Sequence, residues 1–251
     1  MTSFRPKLWT GVSAAILLAA TAGCSGEAGE KGAANVAANT AAAVGESGEG
    51  GPGAKPDAGE KGALAAYADT PSQSRPALHL AHLMGFLLIA QKQTEGPEAA
   101  AALVGQGMTE VFDAEPDVFK AAGVNEAVLR KAAQTGAPAD VSAAIATVEA
   151  GQAKAGGDPA AVLKGMVDIA GGLYSGVMVD GSVDPIEYQH SYGAALSAQA
   201  LARHSKDARV QAAKADLDTL VAMWPSATPP AKPTPANQVA AQTSRVELSL
   251  S

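Results

Sequence analysis

From residue 76 to residue 224 the apolar positions recur at steps of three and four, the period of helices that bury one face. Pro76 to Gln93 carries Leu78, Leu80, Leu83, Met84, Phe86, Leu87, Leu88 and Ile89. It is apolar on most sides, which predicts a helix buried inside a bundle. Ser74 stands where a cap belongs, and Pro76 suits the first turn. Pro97 to Ala114 comes next with Leu103, Val104, Met108, Val111 and Phe112, and Pro116 to Ala122 is a shorter piece with Val118 and Phe119. Asn125 caps a helix running to Gln134 that Gly136 stops. Pro138 to Lys154 repeats the pattern until Gly156-Gly157 breaks it. Asp158 and Pro159 open the next helix, whose stripe is Val162, Leu163, Met166, Val167, Ile169 and Leu173; Gly171-Gly172 near its end implies close packing against a neighbour. A tight connection, Val179 to Val183, turns around Asp180-Gly181. Asp184 then starts a helix reaching His204, and Lys206 to Trp224 is the last long one.

Nowhere do Val, Ile and Tyr alternate over a useful length, and aromatic residues make up only 4% of the chain. The fold class expected is therefore all-α, a bundle of about six to seven helices. The part able to fold runs from residue 63 to residue 251, a length that suits one domain. Its end differs in kind. Pro225, Pro229, Pro230, Pro233 and Pro235 predict an extended strap. Val239, Val246, Leu248 and Leu250 then return to the bundle as a short helix or an extended end.

Residues 25–62 differ in composition from the helical region. Ten glycines are mixed there with Ala, Glu and Lys, and the larger apolar residues are Val36 and Val44. Such a segment cannot offset its ordering entropy by burial, so residues 24–62 are expected to be a disordered tether. Ahead of it, Arg5 and Lys7 precede an apolar run from Leu8 to Ala20, and Thr21-Ala22-Gly23 leads to Cys24. A positive end, an apolar run and small residues before a cut site make a secretory signal peptide over residues 1–23. The run is too short for a permanent span, which needs roughly 20 apolar residues.

Cys24 is the one cysteine of the chain. Its place resembles the lipobox of bacterial prolipoproteins, whose cysteine is acylated and becomes the first residue of the mature protein. That family usually has Leu three positions earlier, where this chain has Thr21. The resemblance implies a lipid-anchored protein facing the periplasm. The non-aspartate Ser25 after the cysteine implies the outer membrane. With Cys24 acylated, no thiol remains for a disulfide, a thiolate metal site or a cysteine nucleophile. Charge adds an exclusion. The formal charge is −7, and loss of Arg5 and Lys7 takes it to −9. A chain this acidic repels phosphate, so nucleic acid is not an expected partner.

Candidate chemistry is sparse. His79 and His82 are three apart on the first long helix, which puts both imidazoles on one face with Phe86. Two readings stand: a pair of metal ligands, or one exposed histidine and one held by a hydrogen bond in the core. Glu187 and His190 form a Glu-x-x-His step of the kind used in di-iron bundles, where two such steps are needed. Glu187 also lies three residues after Asp184, the spacing of a capping box. The stretch from Tyr174 to Tyr188, with its Asp180-Gly181 turn and Glu187-Tyr188 pair, resembles a helical hairpin in the periplasmic segment of bacterial high-affinity iron permeases. That resemblance implies a periplasmic helical module and transfers no iron-binding residue. No Gly-x-Ser-x-Gly elbow, phosphate loop or dinucleotide fingerprint is present.

The expectation from sequence is thus a non-enzymatic lipoprotein, attached to the bilayer through acylated Cys24, acting as a binding or scaffolding module with an envelope protein as partner. The alternative is a periplasmic iron or copper binding and delivery protein using His79, His82, Glu187 and His190, with no other cofactor.

Overall fold

The computed structural model describes residues 58–251. They form ten α-helices and one two-residue hairpin, so the protein is an all-α bundle. The first helices are α1 (Ala58–Asp69), α2 (Arg75–Gln91), α3 (Pro97–Gly107), α4 (Pro116–Ala121) and α5 (Glu126–Thr135). Then come α6 (Pro138–Ala155), α7 (Pro159–Tyr174), the strands β1 (Met178–Val179) and β2 (Ser182–Val183), α8 (Pro185–His204), α9 (Ala208–Val221) and α10 (Ala236–Ser249). Several starts obey one local rule. The side chains of Asn125, Asp158, Asp184 and Asp207 each accept from the first free amides of α5, α7, α8 and α9. Gly136, at φ +55°, ends α5, and its backbone lies against the Pro97 carbonyl where no Cβ fits. Asp180 and Gly181 both have positive φ, as the two-residue turn between β1 and β2 requires.

Helices α2 and α8 cross at the centre, each also touching α7. Two glycines let them approach. A Cβ on Gly85 would lie 2.9 Å from the Gly193 carbonyl, and one on Gly193 would lie 2.6 Å from the Gly85 oxygen. One turn of each helix further, Ser197 Oγ donates to the Ala81 carbonyl at 2.6 Å, so the buried hydroxyl is satisfied across the same crossing. Leu78, Leu80, Leu83, Leu87, Ile89, Leu163 and Met166 fill the space around it and are almost wholly buried. Helix α1 lies antiparallel on α7: Gly62 meets Gly172, and Thr70 meets Gly165. Helix α10 covers another side of α7, also antiparallel, with Thr243 against Gly171 and Glu247 paired to Lys164 at 3.3 Å.

Some expectations change. The all-α bundle is as expected, with ten helices among the described residues where about six to seven were expected. Helix α1 begins at Ala58, within the stretch expected to be tether, because Gly62, Ala63 and Ala66 bury a small-residue stripe on α7. The signal peptide, Cys24 and the rest of the expected tether lie outside the described residues. Ser74 precedes α2, yet its hydroxyl makes no cap there; it accepts instead from the Asp158 amide at 3.0 Å, tying the start of α2 to the start of α7. The strap from Pro225 bends twice before Pro235, so it is not one continuous extended rod. The chain's end is a helix. Val239, Val246 and Leu250 turn inward, whereas Leu248 is 75% exposed. Among the described residues no helix is long and apolar enough to cross a membrane.

Candidate functional site

Helix α2 points His79 and His82 at α1, where Tyr67 meets both. The Tyr67 ring lies 4.6 Å from the His79 ring and 5.9 Å from the His82 ring. Its hydroxyl is 2.9 Å from His82 Nδ1, a hydrogen bond whose direction follows the tautomer of the imidazole. Burial pushes His82 down to about 3, helped by the neighbouring His190 and His79. Burial, and after it the Arg75 guanidinium, pushes His79 down to about 4. The Tyr67 phenol is raised, chiefly by burial and then by Glu115. All three groups are therefore neutral near pH 7. His79 Nδ1 is buried without a hydrogen-bond partner among the described residues. His82 is a core histidine and His79 is half-buried.

His190 belongs to a second group. Phe86 touches both groups, with ring centroids 5.5 Å from His82 and 4.6 Å from His190. His190 Nε2 is 3.1 Å from Gln106 Oε1, and its Nδ1 is 3.8 Å from Glu110 Oε2. Glu110 reaches this place because α3 runs on into a π-helical turn, Met108–Phe112. That turn holds one residue more than an α-helical turn and re-aims the side chains after Gly107. At Gly107 a Cβ would strike the Phe86 ring at 2.7 Å, so the same contact that seats Phe86 needs glycine on α3.

Glu187 lies one turn before His190 on α8. The Asp184 carboxylate caps that helix, accepting from the Ile186 and Glu187 amides at 2.9 and 3.2 Å. The Asp184 amide donates to the Val177 carbonyl at 2.7 Å, which closes the hairpin. Of the four expected metal ligands, His79 and His82 meet Tyr67, whereas His190 meets Gln106 and Glu110, and Glu187 lies one turn before it on α8. Among the described residues no three His, Cys, Asp or Glu side chains gather as a metal ion requires. The arrangement holds α1, α2, the π-turn and α8 in one register through buried polar groups. Sequence reasoning missed Tyr67 and Gln106. Tyr67 had a signal, since it continues the Ala63, Ala66, Thr70 stripe, but Gln106 had none.

A second feature lies elsewhere. A groove of about 300 Å³ runs between Tyr174, Ser175 and Met178 on one side and residues 231–236 of the strap on the other. The Tyr174 hydroxyl donates to the Thr234 carbonyl at 2.8 Å across its floor, and Trp224 stacks on Tyr192 behind it with the rings 3° from parallel. None of the histidines lines it. No family model, curated protein or solved structure matches this chain, so its function has to be argued from these residues.

Proposed function

We propose that this chain is a bacterial envelope lipoprotein, held at the periplasmic face of the outer membrane by acylated Cys24, whose helical bundle is a non-enzymatic binding or scaffolding module. The observation that carries the reading is Cys24 itself, the single cysteine of the chain, placed directly after the apolar run of residues 8–20 and Thr21-Ala22-Gly23. The interior is consistent with a module that presents a surface. Its buried polar groups join helix to helix: Tyr67 to His82, Ser197 to Ala81, Trp224 to Ser191. Metal delivery has less to stand on, because among the described residues no three His, Cys, Asp or Glu side chains gather around one point.

Feeding cells an alkyne fatty acid tests the anchor. The wild-type chain should take up the label and fractionate with membranes, and Cys24→Ala should do neither. Label retained in Cys24→Ala would end the lipoprotein reading. In-cell crosslinking tests the module: a discrete heavier adduct is expected, and monomer alone would remove the scaffolding role.

A further inference from the structure

The chain comes into the bundle at one particular end. Helix α1 runs antiparallel to α7, with Gly62 at Gly172 and Thr70 at Gly165, so Ala58 lies beyond Gly172, towards the hairpin after α7. The same end carries Met178 and Val179, which are 50% and 51% exposed. Among the described residues the other large apolar side chain this exposed is Leu248, at 75%. Leu248 lies at the opposite end, because α10 is antiparallel to α7 and Glu247 pairs with Lys164. Between these two ends runs the length of α7, whose 16 residues make about 24 Å. Lys61 and Lys232 are on the hairpin end, with Asp180 at the turn.

We propose that the hairpin tip, Met178 and Val179, docks on the lipid surface to which the chain is anchored, with Lys61 and Lys232 over the headgroups. This rests on the lipoprotein reading. The occupant is set by where the chain comes in: the described chain begins at this end of the bundle, 33 residues after Cys24. Two half-exposed side chains bind a free bilayer weakly. Tethered, they meet it intramolecularly. Met and Val then leave water for the interfacial region while the two ammonium groups stay hydrated. Asp180 stands at the turn, so the contact favours a bilayer that is not densely anionic.

Acylation consumes the one native thiol, so a single introduced cysteine can be spin-labelled selectively. The acylated full-length chain carrying either Met178→Cys or Leu248→Cys is labelled and reconstituted in phosphatidylethanolamine–phosphatidylglycerol vesicles. Both replaced residues are exposed, so neither change opens the core. The expected result is that the label at 178 loses most of its accessibility to an aqueous nickel chelate and gains accessibility to oxygen, while the label at 248 stays aqueous. Equal aqueous exposure at both positions, with the protein still floating with vesicles, would overturn the docking and leave the anchor standing. Equal shielding at both positions would overturn the end-on arrangement. Failure of the unmodified acylated preparation to float would overturn the lipoprotein reading and the docking with it.

Discussion

His82 shows how one buried side chain sets a property of the whole protein. Its folded value of about 3, and that of about 4 at His79, lie below the ordinary imidazole value near 6.5. Below about pH 6.5 the unfolded chain takes up protons on both rings while the folded chain does not. Stability is therefore intact above that pH and falls as the pH drops towards the folded values. For one fully buried imidazole the loss between pH 6.5 and 5 is about 2 kcal/mol. Urea denaturation across this range should show the midpoint falling, and His82→Gln, whose amide oxygen can still accept from Tyr67, should flatten the slope. A slope unchanged in His82→Gln would place the acid sensitivity on other groups. Tyr67→Phe makes a separate prediction. It leaves His82 Nδ1 buried without its hydrogen-bond partner, and it should cost about 1–3 kcal/mol in the same assay. An unchanged midpoint would mean that the hydrogen bond is replaced.

Elements are where the sequence spoke most plainly, and where its silence has a physical cause. Asn125, Asp158 and Asp184 announce helix starts because a cap is a contact between a side chain and amides two or three residues away. Helix α1 was hard to see because its buried stripe is Ala63 and Ala66, which carry little hydrophobic signal until α7 is beside them. The π-turn at Met108–Phe112 depends on how Phe86 packs on Gly107, a long-range contact that local pattern does not encode. The same distinction separates glycines. Gly193 faces the Gly85 backbone, and Gly193→Ala should overpack the α2–α8 crossing by about 1–3 kcal/mol, lowering Tm by about 2–4 °C per kcal/mol. Gly105 on α3 faces open space, and Gly105→Ala should raise stability by about 0.5–1 kcal/mol. Calorimetry on the pair decides it: equal shifts would mean that the crossing yields more easily than its geometry implies.

At the scale of the molecule, the polar interior is assembled from pieces far apart in the chain. Gln106 and His190 meet across 84 positions, and Tyr67 and His82 come from different helices. The sequence placed His79, His82, Glu187 and His190 on their helices, but it carried no sign that His82 would pair with Tyr67 and His190 with Gln106. Helix α1 is the piece on which this arrangement turns. It covers α7 through Gly62, supplies the Tyr67 hydroxyl that bonds His82, and buries Ala63 and Ala66. Removing residues 1–70 should therefore do two linked things. Tm should fall, because the Gly172 seam and the face of α2 around His79 become wet. The His82 imidazole should also titrate closer to the ordinary value near 6.5, since solvent replaces the burial that depresses it. Calorimetry reads the first effect and the imidazole resonances in NMR the second. A lowered Tm with His82 still depressed would mean that Phe86 and His190 alone keep it dry. An unchanged Tm would mean that α1 rests on the bundle without contributing to its stability.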